Sequence, residues 1–125
     1  MKRNETDKIL HPQEIEAWYV LPAIRKGLAV AMKKEGLDQK KIACLLGVTE
    51  GAVSQYINHK RGSDFEIKKE LEKEFEYSAK VLVNEERLIF AEVQKLLKLF
   101  WDNGVVCEIH KDKSWCPKGC EVCFK

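Results

Sequence analysis

Four of the five cysteines lie in the last nineteen residues of the chain, where their spacing could support metal chemistry. They follow the pattern Cys-x8-Cys-x3-Cys-x2-Cys, at positions Cys107, Cys116, Cys120 and Cys123. Thiolates are the preferred ligands of both structural zinc and iron–sulfur clusters, and four of them in so short a stretch can converge on one centre. We therefore predict that these four cysteines are metal ligands.

The spacing of the cysteines favours an iron–sulfur cluster over zinc. Zinc sites usually show two Cys-x2-Cys pairs, whereas only Cys120 and Cys123 form one here. The Cys-x3-Cys-x2-Cys run resembles the triplet with which radical S-adenosylmethionine enzymes hold a [4Fe–4S] cluster, although 125 residues are too few for their barrel. Cys107 can supply the fourth ligand, and Pro117 and Gly119 predict a backbone-rich loop. Zinc and a redox-active set of thiols remain the alternatives.

Other residues with possible roles in metal chemistry have simpler interpretations. His110 could replace one cysteine, but we expect it to be a loop residue or a donor to a ligand. Trp115 and Phe124 are expected to cover the site. Cys44 lies far from the other cysteines and is predicted to be a small apolar residue in a helix core.

The composition is typical of a soluble, folded protein, and its charge is unevenly distributed. Hydrophobic residues make up 45% of the chain and charged residues 34%, and the longest uncharged run is nine residues, too short to cross a membrane. No apolar secretory signal follows the N-terminus, so we expect a cytoplasmic protein. Residues 22–62 carry eight Lys or Arg against three acids, whereas residues 63–103 carry seven against ten. The basic region is the candidate surface for a polyanion.

An all-α fold is predicted from the spacing of the apolar residues. After an N-terminal arm, residues 1–12, a helix begins at Gln13. Pro22 predicts a start or a kink within it, and Gly36 ends it. The apolar residues that share one face of this helix are Ile24, Leu28, Ala31 and Met32.

Residues 39–58 have the features of a helix-turn-helix. Asp38 can cap a short helix that ends at Leu46, and Gly47 can take the positive φ of the turn. Thr49 is a good cap for a second short helix, which runs to the end of this range. Two short helices joined by a glycine turn are the elements that this motif requires.

Several of these residues recur at fixed spacing in one family of DNA-binding proteins. They are Gln39, Ala43, Leu46-Gly47-Val48, the run Val53-Ser54-Gln55-Tyr56, and Lys60-Arg61-Gly62. With them the chain resembles the Cro/repressor-type (XRE-like) helix-turn-helix regulators, in particular predicted archaeal members, over about residues 14–65. The resemblance implies a transcriptional regulator that binds double-stranded DNA. Gly51 departs from the pattern, since a good helix former is usual there.

The predicted DNA-binding surface contains two groups of side chains. Polar residues on the second helix are expected at base edges in the major groove, and basic residues beside the two helices are expected at phosphates. The complete set is Gln39, Lys40, Lys41, Thr49, Glu50, Gly51, Ser54, Gln55, Asn58, Lys60 and Arg61, with His59 beside it. The alternative is a helical adaptor that binds another protein and has an ordinary solvated basic face.

The second half of the chain predicts two further helices. Phe65, Leu71 and Phe75 indicate the first, and Asn84 is predicted to cap the second, which Gly104 ends. This last helix has two apolar stripes, one formed by Ile89, Val93, Leu96 and Phe100 and the other by Phe90, Leu97 and Trp101. Because both stripes must be covered, we expect one to pack on its own subunit and the other on a second copy, giving a homodimer.

These patterns divide the chain into four segments. They are an arm at 1–12, a helix-turn-helix domain at 13–76, a dimerisation segment at 77–103 and an irregular Cys-rich tail at 104–125. No Ser/His/Asp set, carboxylate pair or phosphate-binding glycine loop is recognisable, so we predict that the chain is not an enzyme. The interpretation of the chain as an electron carrier is less favoured, because it gives the helix-turn-helix no function.

Overall fold

The computed structural model describes residues 5–58 and 68–120, and all regular structure within these ranges is helical. The predicted all-α class is therefore confirmed for this part of the chain. Its helices are α1 (Pro12–Ile15), α2 (Leu21–Lys34), α3 (Gln39–Leu46), α4 (Glu50–Ile57), α5 (Lys69–Asn84), α6 (Ile89–Asp102) and α7 (Val105–Lys113). None of these helices is both long enough and apolar enough to span a membrane.

A π-helical turn, Glu16–Val20, joins α1 to α2 into one long helical stretch. The N–H of Leu21 bonds to the carbonyl of Glu16, five residues earlier, which is the spacing of a π-helix. Pro22 follows directly and has no N–H to donate, so the regular ladder cannot run through this point. The irregularity predicted at Pro22 is confirmed.

α2 is the central helix of the hydrophobic core, in contact with α3, α4, α5 and α6. Its predicted apolar face is confirmed, since all four residues are buried: Ile24, Leu28, Ala31 and Met32. Gly27 lets α5 come close, because a Cβ built there would lie 2.6 Å from the ring of Phe75. Phe75 packs edge-on against Phe100 of α6, with 6.2 Å between ring centroids. These contacts join α2, α5 and α6 into one core.

The helix boundaries around α3 and α4 lie at the predicted residues. Gly36, with φ 96°, follows the end of α2, and the Asp38 side chain accepts a hydrogen bond of 2.8 Å from the backbone N–H three residues ahead. Gly47 has φ 69°, and Thr49 Oγ1 accepts a 3.0 Å bond from the N–H three residues ahead. Local capping therefore places two eight-residue helices on either side of a three-residue turn.

The prediction that Asn84 caps the next helix is wrong. Asn84 is the last residue of α5, and its side-chain amide donates to the carbonyl of Lys80 at 3.1 Å. A 3-10 turn, Glu86–Leu88, separates α5 from α6. The boundary predicted after residue 76 falls inside α5, which carries one continuous buried stripe: Leu71, Phe75, Ser78, Ala79 and Leu82.

The prediction of an irregular tail from residue 104 is wrong for its first part. Gly104, with φ 73°, turns the chain, and α7 follows directly. Val105, Val106 and Ile109 of α7 are buried in the common core. Apolar residues at these three positions lie on one helical face, and their burial stabilises a helix. The prediction of an irregular tail rested on the cysteines and did not take this apolar face into account.

The described part of the N-terminal arm, from residue 5 onwards, is docked on the residues that follow α7. Leu10 is only 5% exposed, and its N–H donates to Ser114 Oγ at 2.9 Å. The N–H of Trp115 donates to the carbonyl of Lys8 at 2.8 Å. These bonds fasten the segment before α1 to the residues that follow α7, so both ends of the described chain share one surface.

The expectation that α6 keeps a whole apolar stripe for a partner is wrong. Leu97 and Trp101 of the second stripe are half-buried against the core of their own chain. The indole N–H of Trp101 also donates to Glu16 at 2.8 Å. Phe90 differs, because 80% of its surface is exposed. The surface that this stripe offers to a second copy is therefore centred on Phe90 alone.

Candidate nucleic-acid interface and cysteine cluster

Buried side chains fix the orientation of α3 and α4. Ile42 and Ala43 hold α3 on the core, and Ala52, Val53 and Tyr56 hold α4. Leu46 at the end of α3 and Val48 in the turn are partly buried against the same core. Cys44 is exposed, so its prediction as a core residue is wrong. Position 44 adjoins the buried Ala43 but lies on the outer side of α3, where a thiol meets solvent.

The predicted base-contacting residues share one outer face of α4. Their positions, 50, 51, 54, 55 and 58, follow the helical period, so the five lie side by side. Ser54 is half-buried, and the other members, Glu50, Gly51, Gln55 and Asn58, are exposed. Asn58 Nδ2 donates to Ser54 Oγ at 3.3 Å, which orients both side chains on this face.

Gly51 lies on this face without a packing reason for glycine. A Cβ built there would meet only Thr49 Oγ1, at 3.8 Å, an ordinary contact. A glycine inside a helix costs about 1 kcal/mol relative to alanine. What it contributes is an uncovered stretch of backbone, which a ligand can approach closely.

The first turn of α3, a helix that packs against α4, carries two lysines. Gln39 is half-buried, and Lys40 is exposed. Lys41 forms an ion pair with Glu86 of the turn before α6. The hydrogen bond to the Glu86 carboxylate raises the pKa of Lys41, because that bond favours the charged ammonium form. The sequence offers no signal for this pair, because no pattern links positions so far apart.

Some of the predicted residues lie outside the described ranges. They are His59, Lys60, Arg61, Phe65, Cys123 and Phe124. The described part of the predicted DNA surface is therefore α4 together with Thr49 and the first turn of α3. The described part of the cysteine cluster is Cys107, Cys116 and Cys120.

The three described tail cysteines are half-buried, and none of them forms a disulfide. Cys107 lies on α7, and the other two follow that helix. In residues 5–58 and 68–120, no three His, Cys, Asp or Glu side chains are grouped as metal ligands. The described cysteines thus do not assemble a centre by themselves, and the four-cysteine site, which needs Cys123, stays a prediction.

The backbone around the tail cysteines has the turn predicted from Pro117 and Gly119. The N–H of Cys120 bonds to the Pro117 carbonyl at 3.2 Å, and Gly119 has φ 75°. Cys116 Sγ lies 3.8 Å from the backbone carbonyl of His110, at the end of α7. Cys107 on α7 and Cys116 beside its last turn therefore both lie close to this helix.

The prediction that His110 is a loop residue is wrong, whereas the covering role of Trp115 stays a prediction. His110 lies on α7, not in a loop, and its Nε2 is 2.6 Å from the carbonyl oxygen of Leu10. Because a carbonyl can only accept, Nε2 carries the hydrogen and is not available to a metal. The indole N–H of Trp115 is buried and has no hydrogen-bond partner among the described residues. It is an unused donor directly beside Cys116 in the chain.

Comparison of the chain with models of protein families, with curated proteins and with solved structures finds no match.

Proposed function

We propose that this chain is a transcriptional regulator of the cytoplasm that binds a specific sequence of double-stranded DNA. The observation that carries the proposal is the polar outer face of α4, a helix that packs against α3, whose first turn carries Lys40 and Lys41. In this arrangement α4 enters the major groove. Gln55 and Asn58 offer amides that can pair with adenine, and Glu50 can accept from cytosine.

The contacts of α3 support the same arrangement. Lys40 and Lys41 lie in the first turn of α3, the helix before α4, and in this proposal they contact phosphates that flank the groove. Phosphate contacts of this kind position a protein on the duplex and carry no sequence information. The exposed backbone at Gly51 lets DNA approach α4 closely.

Replacing Gln55 by alanine should weaken binding to the cognate duplex by about 1–3 kcal/mol, roughly fivefold to 150-fold, because a base contact is lost. Binding to unrelated duplexes should change little. A cognate duplex is first selected from a random pool, and affinities are then measured by fluorescence anisotropy at several salt concentrations. Gln94→Ala is the matched control, since Gln94 is an exposed glutamine on α6.

Two results would contradict this reading of α4. Equal loss of affinity for cognate and unrelated duplexes would place Gln55 outside base recognition. If the wild-type chain binds no duplex with salt-sensitive affinity, DNA binding itself fails, because phosphate neutralisation makes such affinity fall steeply with salt. The adaptor interpretation would then replace it.

We also propose that the regulator acts as a homodimer through the exposed apolar residues beside the α5–α6 turn. Phe90 is 80% exposed, and Val83, on the other side of the turn, is exposed as well. An isologous contact buries each of these side chains twice. The cognate site should then be an inverted repeat with half-sites about one helical turn apart.

Replacing Phe90 by aspartate should convert the dimer to a monomer, because a charge would have to be buried in an apolar contact. Sedimentation velocity at micromolar concentration measures the change. Ala91→Asp is the matched control, since Ala91 is an exposed neighbour on the same helix and should leave the dimer intact. A wild-type monomer, or an unchanged Phe90→Asp dimer, would contradict this contact.

For the tail we propose a four-cysteine iron–sulfur cluster, [4Fe–4S] in type, with a structural zinc site as the alternative. The turn at Gly119, the half-buried thiols and the unused indole donor of Trp115 support it, because hydrogen bonds to sulfur tune such clusters. A bound cluster would supply a reversible one-electron change that reports redox state, oxygen or iron. The chain's own contribution is to hold Cys107 and Cys116 at α7.

A further inference from the structure

The ion pair between Lys41 and Glu86 joins two distant parts of the fold at the proposed DNA surface. Lys41 lies in the first turn of α3, and Glu86 opens the 3-10 turn between α5 and α6. Both side chains stay open to solvent, with 41% of Lys41 and 49% of Glu86 exposed. A second anion can therefore reach the same ammonium group.

A DNA phosphate would meet the Glu86 carboxylate at this position. Both are anions that seek the same cation, and a carboxylate beside a phosphate repels it. Exposed ion pairs are weak, because water screens them and long side chains lose freedom when they pair. A phosphate can thus displace Glu86 from Lys41. The free energy gained from the phosphate contact is then reduced by the loss of the ion pair.

We propose that Glu86 is an intramolecular competitor for the phosphate that Lys41 contacts, and that it lowers the affinity for every duplex alike. This inference rests on the proposed DNA-binding function. Glu86 acts through Lys41, so it is a positioning residue that touches no base. The ion pair also connects the proposed DNA surface to the α5–α6 turn. Phe90, the residue of the proposed dimer contact, follows that turn at the start of α6.

Glu85 provides a matched control in the same turn. Its carboxylate pairs with Arg87 at 3.4 Å and not with Lys41. Glu85→Gln and Glu86→Gln each remove one negative charge from adjacent positions. A difference between these two variants therefore isolates the contact to Lys41 from the general effect of charge on DNA binding.

The experiment measures affinity for a cognate and an unrelated duplex over a range of salt concentrations. Glu86→Gln should tighten binding to both duplexes by about two- to fivefold relative to Glu85→Gln. Its slope of log affinity against log salt should be steeper by up to about one, because one more unpaired cation then neutralises phosphate. With Lys41→Ala in the background, Glu86→Gln and Glu85→Gln should behave alike. Equal melting temperatures of the variants confirm that each is folded.

Suppose that the wild type clearly binds DNA and that Glu86→Gln and Glu85→Gln have equal affinities. The proposed role of Glu86 is then overturned, and the DNA-binding function stands. The same holds if the advantage of Glu86→Gln persists after Lys41→Ala. If the wild-type chain shows no salt-sensitive binding to any duplex, the DNA-binding function and this inference fail together. These outcomes are distinguished by the wild-type titration.

Discussion

Replacing Cys116 by serine should abolish or strongly reduce the metal content of the chain, and the same holds for Cys107, Cys120 and Cys123. A serine hydroxyl does not replace a thiolate towards soft metals, so loss of one ligand should empty the whole site. Iron, zinc and acid-labile sulfide are measured per chain after anaerobic purification. Iron with sulfide identifies a cluster, and zinc without sulfide identifies the structural alternative.

Cys44→Ser is the matched control for the tail cysteines. The Cys44 thiol is exposed on α3, a helix whose first turn belongs to the proposed DNA surface. Its replacement should leave the metal content unchanged. A full metal complement in the tail variants, or loss of metal in Cys44→Ser, would show that the ligands are assigned to the wrong residues.

The same variants test whether the metal centre regulates DNA binding. Metal binding and folding are coupled in small sites, so the empty tail should loosen. The tail is hydrogen-bonded to the segment before α1 through Leu10 and Trp115, and that segment leads into the core helix α2. We therefore expect weaker dimerisation or an altered DNA affinity. If the variants lose metal but bind DNA unchanged, the assignment of the metal centre stands and its sensing role is contradicted.

Replacing Phe75 by alanine should lower the free energy of unfolding by about 3–5 kcal/mol, because a buried ring between α2 and α6 is lost. Gly27→Ala should cost about 1–3 kcal/mol through overpacking, since the new Cβ would lie 2.6 Å from that ring. This cost exceeds the helix propensity gained by alanine. Urea unfolding followed by circular dichroism measures both changes.

The double variant tests whether Gly27 and Phe75 share one space. The methyl group of Gly27→Ala fits where the Phe75 ring has been removed. The double variant should therefore lose less stability than the sum of the two single losses. Gly51→Ala is the control for helix propensity alone, because a Cβ there would make only an ordinary 3.8 Å contact, with Thr49 Oγ1. It should stabilise the chain by up to about 1 kcal/mol. Additive costs at Gly27 and Phe75 would contradict the close approach of α2 and α5.

The α3–turn–α4 region was predictable from the chain almost residue by residue. Asp38, Gly47 and Thr49 act on backbone groups only a few residues away, so each boundary depends on local hydrogen bonds and on the φ that glycine allows. The apolar face of α2 was equally clear, because helical periodicity is a local property. These elements carry the predicted DNA surface, and for that reason its residues on α4 share one face of that helix.

Features that depend on distant residues were decided by the tertiary structure. Asn84 is a plausible cap by its chemistry, yet the buried stripe from Leu71 to Leu82 keeps it inside α5. The exposure of Cys44, the docking of the N-terminal segment on the tail, and the pairing of Lys41 with Glu86 all depend on which helices meet. Local sequence sets the free energy of individual turns and caps, whereas these contacts arise only when the core brings separate helices together.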